Sequence, residues 1–480
     1  MKNRMIALVL VSVIVFICFL PAASAWYIDL DDPYYVFSNV VVQSGLTLFG
    51  VKWAFSSEAI FGHWTPLTWI SHMVVYHFGG FDPAWHHIAN IAIHTINAYM
   101  VFLFLYRITG NFEASLMVAL LFGIHPLRVE SVAWISSRKD VLSTFFSMLT
   151  LFKYLDFVES RKTKDYILLM GLFICALASK AAPVTIPVIM LLIDIWPLGR
   201  QDYTRMISEK ITLFVIALMI SILTLSTTSI MMNGIDDMPI SERIGMAFLN
   251  YISYLKYTFY PIGLAAMYPR EINFPIEQQI VSACIFGLIT LLTLFNKKLF
   301  IGWLWFVISI LPVSGLFQNG VQRIADRYTY FAAIGLTLGI VCFLYEKFNK
   351  KLVTSILTII ILFLSHRTYI QSTYWEDTKT LFTKSLEVQP SIMSMHILAI
   401  AALNEGDYES AKLYLTQVVD ATDTDFKAII RLAALVLEDD EPRGRELLRK
   451  INREYIIKSE PIEAEHWLNI YDRLNRWNHD

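Results

Sequence analysis

MIALVLVSVIVFICFL, residues 5–20, follows Lys2 and Arg4 and is followed by Pro21-Ala-Ala-Ser-Ala25; it carries no charge. A helix needs about 20 predominantly apolar residues to cross the hydrocarbon of a bilayer, and this run with its flanks supplies them. The same three-part form, ending in an A-x-A pattern, is that of a cleavable secretory leader. The segment is read as a retained first span, with cleavage after Ala25 as the rival reading.

Moving outward, comparable runs lie near 89–106, 112–127, 140–157, 166–179, 181–196, 211–230, 277–295, 299–315, 328–345 and 351–366. Together they predict an all-α polytopic membrane protein of about eleven transmembrane helices. Composition agrees: 56% of the residues are hydrophobic and 17% charged, against about 25% charged in soluble domains. A formal charge of −2 leaves no basic surplus to displace counterions from phosphate, which excludes nucleic acid as a partner. Cys18, Cys175, Cys284 and Cys342 sit in apolar runs without metal or redox spacing and read as small hydrophobes.

Lys2/Arg4, Arg107, Arg161–Lys164, Arg200–Lys210, Lys297–Lys298 and Lys347–Lys351 fall on one side if the spans alternate, and the positive-inside rule makes that side the cytoplasm. Residues 26–88 then form a long first outside loop. Its aromatic, apolar stretches predict helices lying on the membrane surface, and 246–260 reads alike. The domains follow as 1–370, transmembrane, and 371–480, outside, where apolar runs stop and charge rises. Pro390 and Thr424 stand 34 residues apart around Asn404-Glu-Gly-Asp-Tyr408 and Ala411, the form of a tetratricopeptide unit, so two to three units are expected. Such a module binds a peptide or packs on its neighbour.

Charged and imidazole groups near spans are costly and are functional candidates by default. Asp31-Asp32-Pro33 directly follows the first span: it reads either as a capped Asx turn or as a general base at the membrane face. His125-Pro-Leu-Arg-Val-Glu130 through Arg138-Lys139-Asp140 alternates charge with Val, Ala and Trp, as a buried polar pocket does. Gln322-Arg323-Ile-Ala-Asp326-Arg327-Tyr328 gathers two forks suited to phosphate oxygens, and reads equally as an interfacial anchor. Lys180 stands where cations are disfavoured, ready for an acid or a lipid phosphate. His63, His72, His77, His86, His87 and His94 lack an H-E-x-x-H pattern and are read as interfacial rather than metal-binding.

Taken in order, Asp31-Asp32-Pro-Tyr-Tyr, His63-Trp64-Thr-Pro-Leu-Thr-Trp69, His86-His87-Ile-Ala-Asn90 with His94, His125 through Trp134 with Arg138-Lys-Asp140, Lys180 through Asp194-Ile-Trp-Pro-Leu-Gly199, Tyr268-Pro269 and Ala325-Asp326-Arg327-Tyr328 resemble the bacterial relatives of the transmembrane and tetratricopeptide-repeat O-mannosyltransferases. The likeness runs from Asp31 into the repeats. It implies a GT-C-like glycosyltransferase that takes sugar from a polyprenyl-phosphate carrier at the outer face of a bacterial inner membrane. The resemblance implies Asp31 as catalytic base, with Asp32 as its alternative. It also implies roles for Glu130, Arg138 and Asp140. Arg138, Lys180, Arg323 and Arg327 are the candidate donor-phosphate contacts, and His63, Trp64, His87, His125, Glu130, Asp140 and Asp326 further pocket candidates. Lys180-Ala-Ala replaces the Lys-Glu of eukaryotic relatives, and the repeats are fewer, which puts a protein acceptor in doubt. No metal site is expected, and a divalent cation as helper is left open. Expected partners are the lipid-linked donor, membrane lipid and a protein, glycan or lipid hydroxyl. A transporter or flippase of a lipid-linked precursor, and a scaffold presenting repeats, are the alternatives; the first predicts polar residues deep in several spans, the second leaves the carboxylates idle.

Overall fold

The computed structural model describes residues 2–59, 64–228, 239–269, 275–317, 322–422, 424–459 and 464–476, and the regular elements in them are helical. The chain divides into two compact units, Met1–Leu264 with Arg270–Asp377, and Ala265–Pro269 with Thr378–Asp480.

In the first unit each of the eleven apolar runs is helical over most of its described residues. Among the described residues six helices are long and apolar enough to cross a membrane: Arg4–Ser24, Pro83–Thr109, Ile135–Ser160, Tyr203–Ser226, Ile276–Thr293 and Lys350–Thr373. Phe112–Gly123 with Pro126–Ala133 makes a seventh if counted as one span, bent by 57°. The structure therefore supports six or seven spans where the sequence predicts about eleven. Length is the cause: Thr163–Ser179 has 17 residues, Ile186–Ile195 10, Lys297–Ile310 14 and Ala332–Lys347 16, all short of about 20. These spans make the chain an integral membrane protein. The bend falls at His125-Pro126, where proline offers no N–H and restricts the residue before it.

Helix Pro83–Thr109 begins six residues before its apolar run, because Asp82 caps it by accepting from the Ala84 N–H at 3.0 Å and Pro83 takes the first position. His86 and His87 thus belong to this helix and not to the loop before it. Helices Lys297–Ile310 and Ala332–Lys347 approach at Gly302, where a Cβ would meet the Gly335 carbonyl oxygen at 2.5 Å and the Gly339 Cα at 2.8 Å. Glycine there lets two backbones touch.

At the end of the helices where Pro83–Thr109 finishes, the polar groups around Asp194 are paired. Lys210 and Asp194 are both 0% exposed. Lys210 Nζ donates to Asp194 Oδ2 at 2.7 Å and to the Tyr154 hydroxyl at 2.8 Å, and Arg200 donates to Asp194 Oδ1 at 3.1 Å and Glu209 Oε2 at 2.8 Å. The quoted Asp194 motif is in this structure a clamp between helices.

At the opposite end, residues 26–59 and 64–82 fold as short helices around Tyr27, Tyr35, Val36, Trp69 and Met73. Tyr35 stacks on Trp69 with centroids 4.5 Å apart, and the Trp69 indole donates to the Ala59 carbonyl at 3.0 Å. Asp32 is 0% exposed. Its Oδ2 accepts from the Ile28 N–H at 2.9 Å, and its Oδ1 accepts from the Ser136 N–H at 2.9 Å and from the Ser136 hydroxyl. It joins the chain after the first span to the turn before helix Arg138–Ser160.

In the second unit successive helices from Thr378–Val388 to Ala464–Asn475 pack on one another around Leu415, Val418, Phe426, Ile429, Ala433 and Trp467. Gly406 takes φ +77° and Asp407 caps the next helix by accepting from the Ser410 N–H, so Asn404–Tyr408 forms the expected helix–turn–helix connection.

Burial pushes the Asp32 carboxyl up to about 7 from its ordinary 3.8, against the hydrogen bonds from Ser136 and Ile28. Between those values the folded chain keeps a proton that the unfolded chain has released. The group's contribution to stability is therefore complete below about pH 4 and lost as pH rises through about 7. Unfolding midpoints in detergent should fall from pH 5 to pH 8, and Asp32→Asn should flatten that slope while leaving the protein folded.

Candidate active site

Arg138, Lys139 and Asp140 open helix Arg138–Ser160, and because successive helical positions turn by about 100° their side chains diverge. Arg138 is 1% exposed; its guanidinium donates to the Asn90 side chain and to the His86 carbonyl at 2.8 Å. Lys139 turns toward the segment after the first span, 3.7 Å from Asp31 Oδ2 and 4.9 Å above the Tyr35 ring. Asp140 Oδ1 accepts from Lys180 Nζ at 2.5 Å, and its other oxygen is buried without a partner. Thr68 donates to the Ser179 carbonyl at 2.8 Å, which holds the helix end that presents Lys180.

Asp140 and Lys180 line a cleft with Arg327 and Tyr328. Ser143, Thr144 and Ser147 continue its wall along the face that Asp140 begins. Arg327 pairs with Glu130 and donates to it from the backbone at 2.7 Å, and its guanidinium lies 5.3 Å from the Trp134 ring. Asp31 and Asp140 are within its electrostatic reach too. Burial lowers the Lys180 ammonium from its ordinary value, while Asp140 acts in the opposite direction. Asp31, with 28% of its side chain exposed, keeps oxygen surface available beside this group.

The structure brings together Asp31, Glu130, Asp140, Lys180 and Arg327. Other predicted residues sit elsewhere. Arg138 is committed to Asn90 and His86, and Arg323 donates to Asn250 at 3.0 Å and Ser253 at 3.1 Å on helix Ile240–Phe259. His125 caps a turn, accepting from the Leu127 N–H at 3.2 Å and standing 2.9 Å from the Thr258 carbonyl. Asp326 is buried near Arg128. Trp64 is half-buried against Phe55, and His63 lies outside the described residues. His72, His86, His87 and His94 are fully buried rather than interfacial, with His72 Nδ1 3.3 Å from His86 Nδ1 and His94 Nδ1 2.5 Å from the Tyr330 hydroxyl. Among the described residues no three His, Cys, Asp or Glu side chains gather to hold a metal ion.

Lys139 and Tyr35 were quoted without a role of their own, and the Ser143/Thr144/Ser147 face was missed. Its signal was present: positions 140, 143, 144 and 147 form a polar stripe at helical spacing in an otherwise apolar span.

No family model matches the chain. It is similar to curated protein O-mannosyl-transferases: Tmtc1 of Drosophila melanogaster, 28% identical over 152 residues, covering 32% of this chain and 18% of that protein; one of Caenorhabditis elegans, 25% over 342 residues, covering 65% and 46%; and TMTC4 of Mus musculus, 25% over 447 residues, covering 76% and 60%. The chain thus spans 18% to 60% of the length of these relatives. With likeness to fly, worm and mouse proteins of one kind, the chain is by sequence a relative of the transmembrane and tetratricopeptide-repeat O-mannosyl-transferase family.

Proposed function

We propose that the chain is a GT-C-type membrane glycosyltransferase that moves a hexose, mannose by the names of its relatives, from a polyprenyl-phosphate carrier to a hydroxyl acceptor with inversion. The observation that carries this reading is the convergence of an accessible carboxylate, Asp31, with two cations, Lys180 and Arg327, beside a hydroxyl-lined cleft at one end of the helices. Asp31 takes the acceptor's hydroxyl proton. The acceptor oxygen bonds to the anomeric carbon as the carbon–oxygen bond to phosphate breaks on the opposite side, and the phosphate leaves with that electron pair on its carrier. Lys180 and Arg327 neutralise the charge that develops there, the larger share of such catalysis in a site of low dielectric. Lys139 holds Asp31 in place. Asp32, with both oxygens engaged, serves as anchor.

In this reading the site end faces outside, and the Lys- and Arg-rich opposite end faces the cytoplasm. The shorter helices complete an eleven-span plan through flanking 3₁₀ turns such as Ala182–Thr185 and Leu311–Val313. The second unit is a short tetratricopeptide-like solenoid on the outer side, presenting a peptide acceptor.

Purified protein incubated with polyprenyl-phosphate mannose and Ser/Thr peptides should give a hexose mass increment by mass spectrometry. Asp31→Asn should lower turnover by about 10²–10⁴ with little loss of donor binding, and Asp32→Asn should keep transfer; the reverse pattern would exchange their roles. Lys180→Gln should lower kcat/KM by roughly 10–100-fold, the weight of a charged hydrogen bond, with most of the loss in kcat, as removal of a transition-state interaction requires. Reporters fused after Lys164 and after Trp375 should register opposite sides of the membrane, and matching sides would refute the orientation.

A further inference from the structure

We infer that the end of the helices remote from Asp31 carries a binding site for the phosphodiester head group of an anionic membrane phospholipid. A cavity of about 400 Å³ opens there among the ends of several helices, walled by Thr109, Trp196, Lys298, Tyr345, Glu346 and Lys350. Lys298 Nζ lies 2.6 Å from Glu346 Oε2, whereas Lys350 has no acid partner among the described residues. The wall therefore carries one positive charge in excess, matching the single negative charge of a phosphodiester. Both lysines stand in the first turn of a helix, Lys297–Ile310 and Lys350–Thr373, where the macrodipole adds to their charge.

Depth selects a lipid over a dissolved ion. Thr109 ends the span Pro83–Thr109 and Lys350 begins the span Lys350–Thr373, so the cavity lies where two helices leave the hydrocarbon, at the level of head groups. Trp196 and Tyr345 suit that level, with apolar rings and polar edges. Tyr345 is held there by a hydroxyl contact of 2.7 Å to Thr354, giving a fixed wall. Basic pockets between spans are a recurrent means of holding acidic head groups. The pocket is separate from the Asp31 cleft and takes no part in sugar transfer as proposed.

The full chain, purified in neutral detergent, is titrated with phosphatidylglycerol, phosphatidylcholine or inorganic phosphate and followed by native mass spectrometry and by thermal unfolding. Phosphatidylglycerol should bind and raise the unfolding midpoint, and the other two should not. Lys350→Gln should weaken phosphatidylglycerol binding by about fivefold, the weight of one lysine near an anionic head group. Glu346→Gln, which releases Lys298 from its ion pair, should tighten it by a similar factor. Opposite shifts from two neutral substitutions separate a change in site charge from loss of fold. Equal binding of phosphatidylglycerol and phosphatidylcholine, or affinities unchanged in both variants, would overturn the site. An equal response to inorganic phosphate would overturn the lipid as its source.

Discussion

A carboxylate closed off from water, with both oxygens taken up by Ile28 and Ser136, determines where the rest of this end of the molecule stands. Asp32 fastens the chain leaving the first span to the turn that starts helix Arg138–Ser160. Two neighbours follow from that one attachment. Asp31 precedes the anchor and Lys139 follows Ser136 by three residues, so the pair at 3.7 Å is set by backbone already fixed. The aromatic core around Tyr35 and Trp69 supports it, since Tyr35 packs on Trp69 and lies beneath the lysine. Leaving a buried polar group without its hydrogen-bond partner typically costs about 1–3 kcal/mol, which makes such an anchor a strict positional constraint.

Charge beside the cleft is arranged in near-neutral sets. Lys180 has Asp140, Arg327 has Glu130 and Lys139 has Asp31. Each cation near the cleft is pre-positioned by an acid, so an incoming phosphate meets oriented donors and does not have to order long side chains itself. The other end follows the same rule with a different outcome. Around Asp194 every strong partner is taken by Tyr154, Arg200 or Lys210, and what remains is a clamp.

Much of this was legible in the residues. Helices were readable because an apolar run cannot be left in water, and the positions of Glu130, Asp140, Lys180 and Arg327 were readable because charges beside spans need a reason. Partner choice was not. Asp31 and Asp32 are identical in chemistry and adjacent, and only the turn through Pro33 buries one and leaves the other open. Arg138 and Lys139 differ by one helical step, which commits the first to the interior and the second to Asp31. By length the structure supports six or seven spans, because apolarity does not report length: Ile186–Ile195 is wholly apolar until Asp194 and covers only 10 residues. The burial of His72, His86, His87 and His94 was not legible, because periodicity does not report that His94 reaches Tyr330, far along the chain.

The fan of Arg138, Lys139 and Asp140 makes the site a matter of angular phase as much as of composition. Inserting one residue between Trp134 and Arg138 would rotate the helix by about 100° relative to the Asp32 anchor. It would carry the buried guanidinium toward Asp31 and the lysine toward Lys180. Asp31 would still face a cation, but Lys139 would meet Lys180 where Asp140 now stands, a repulsion in place of an attraction. Length in the connection Trp134–Ser137 is thus as tightly constrained as the identity of the charged residues that follow it.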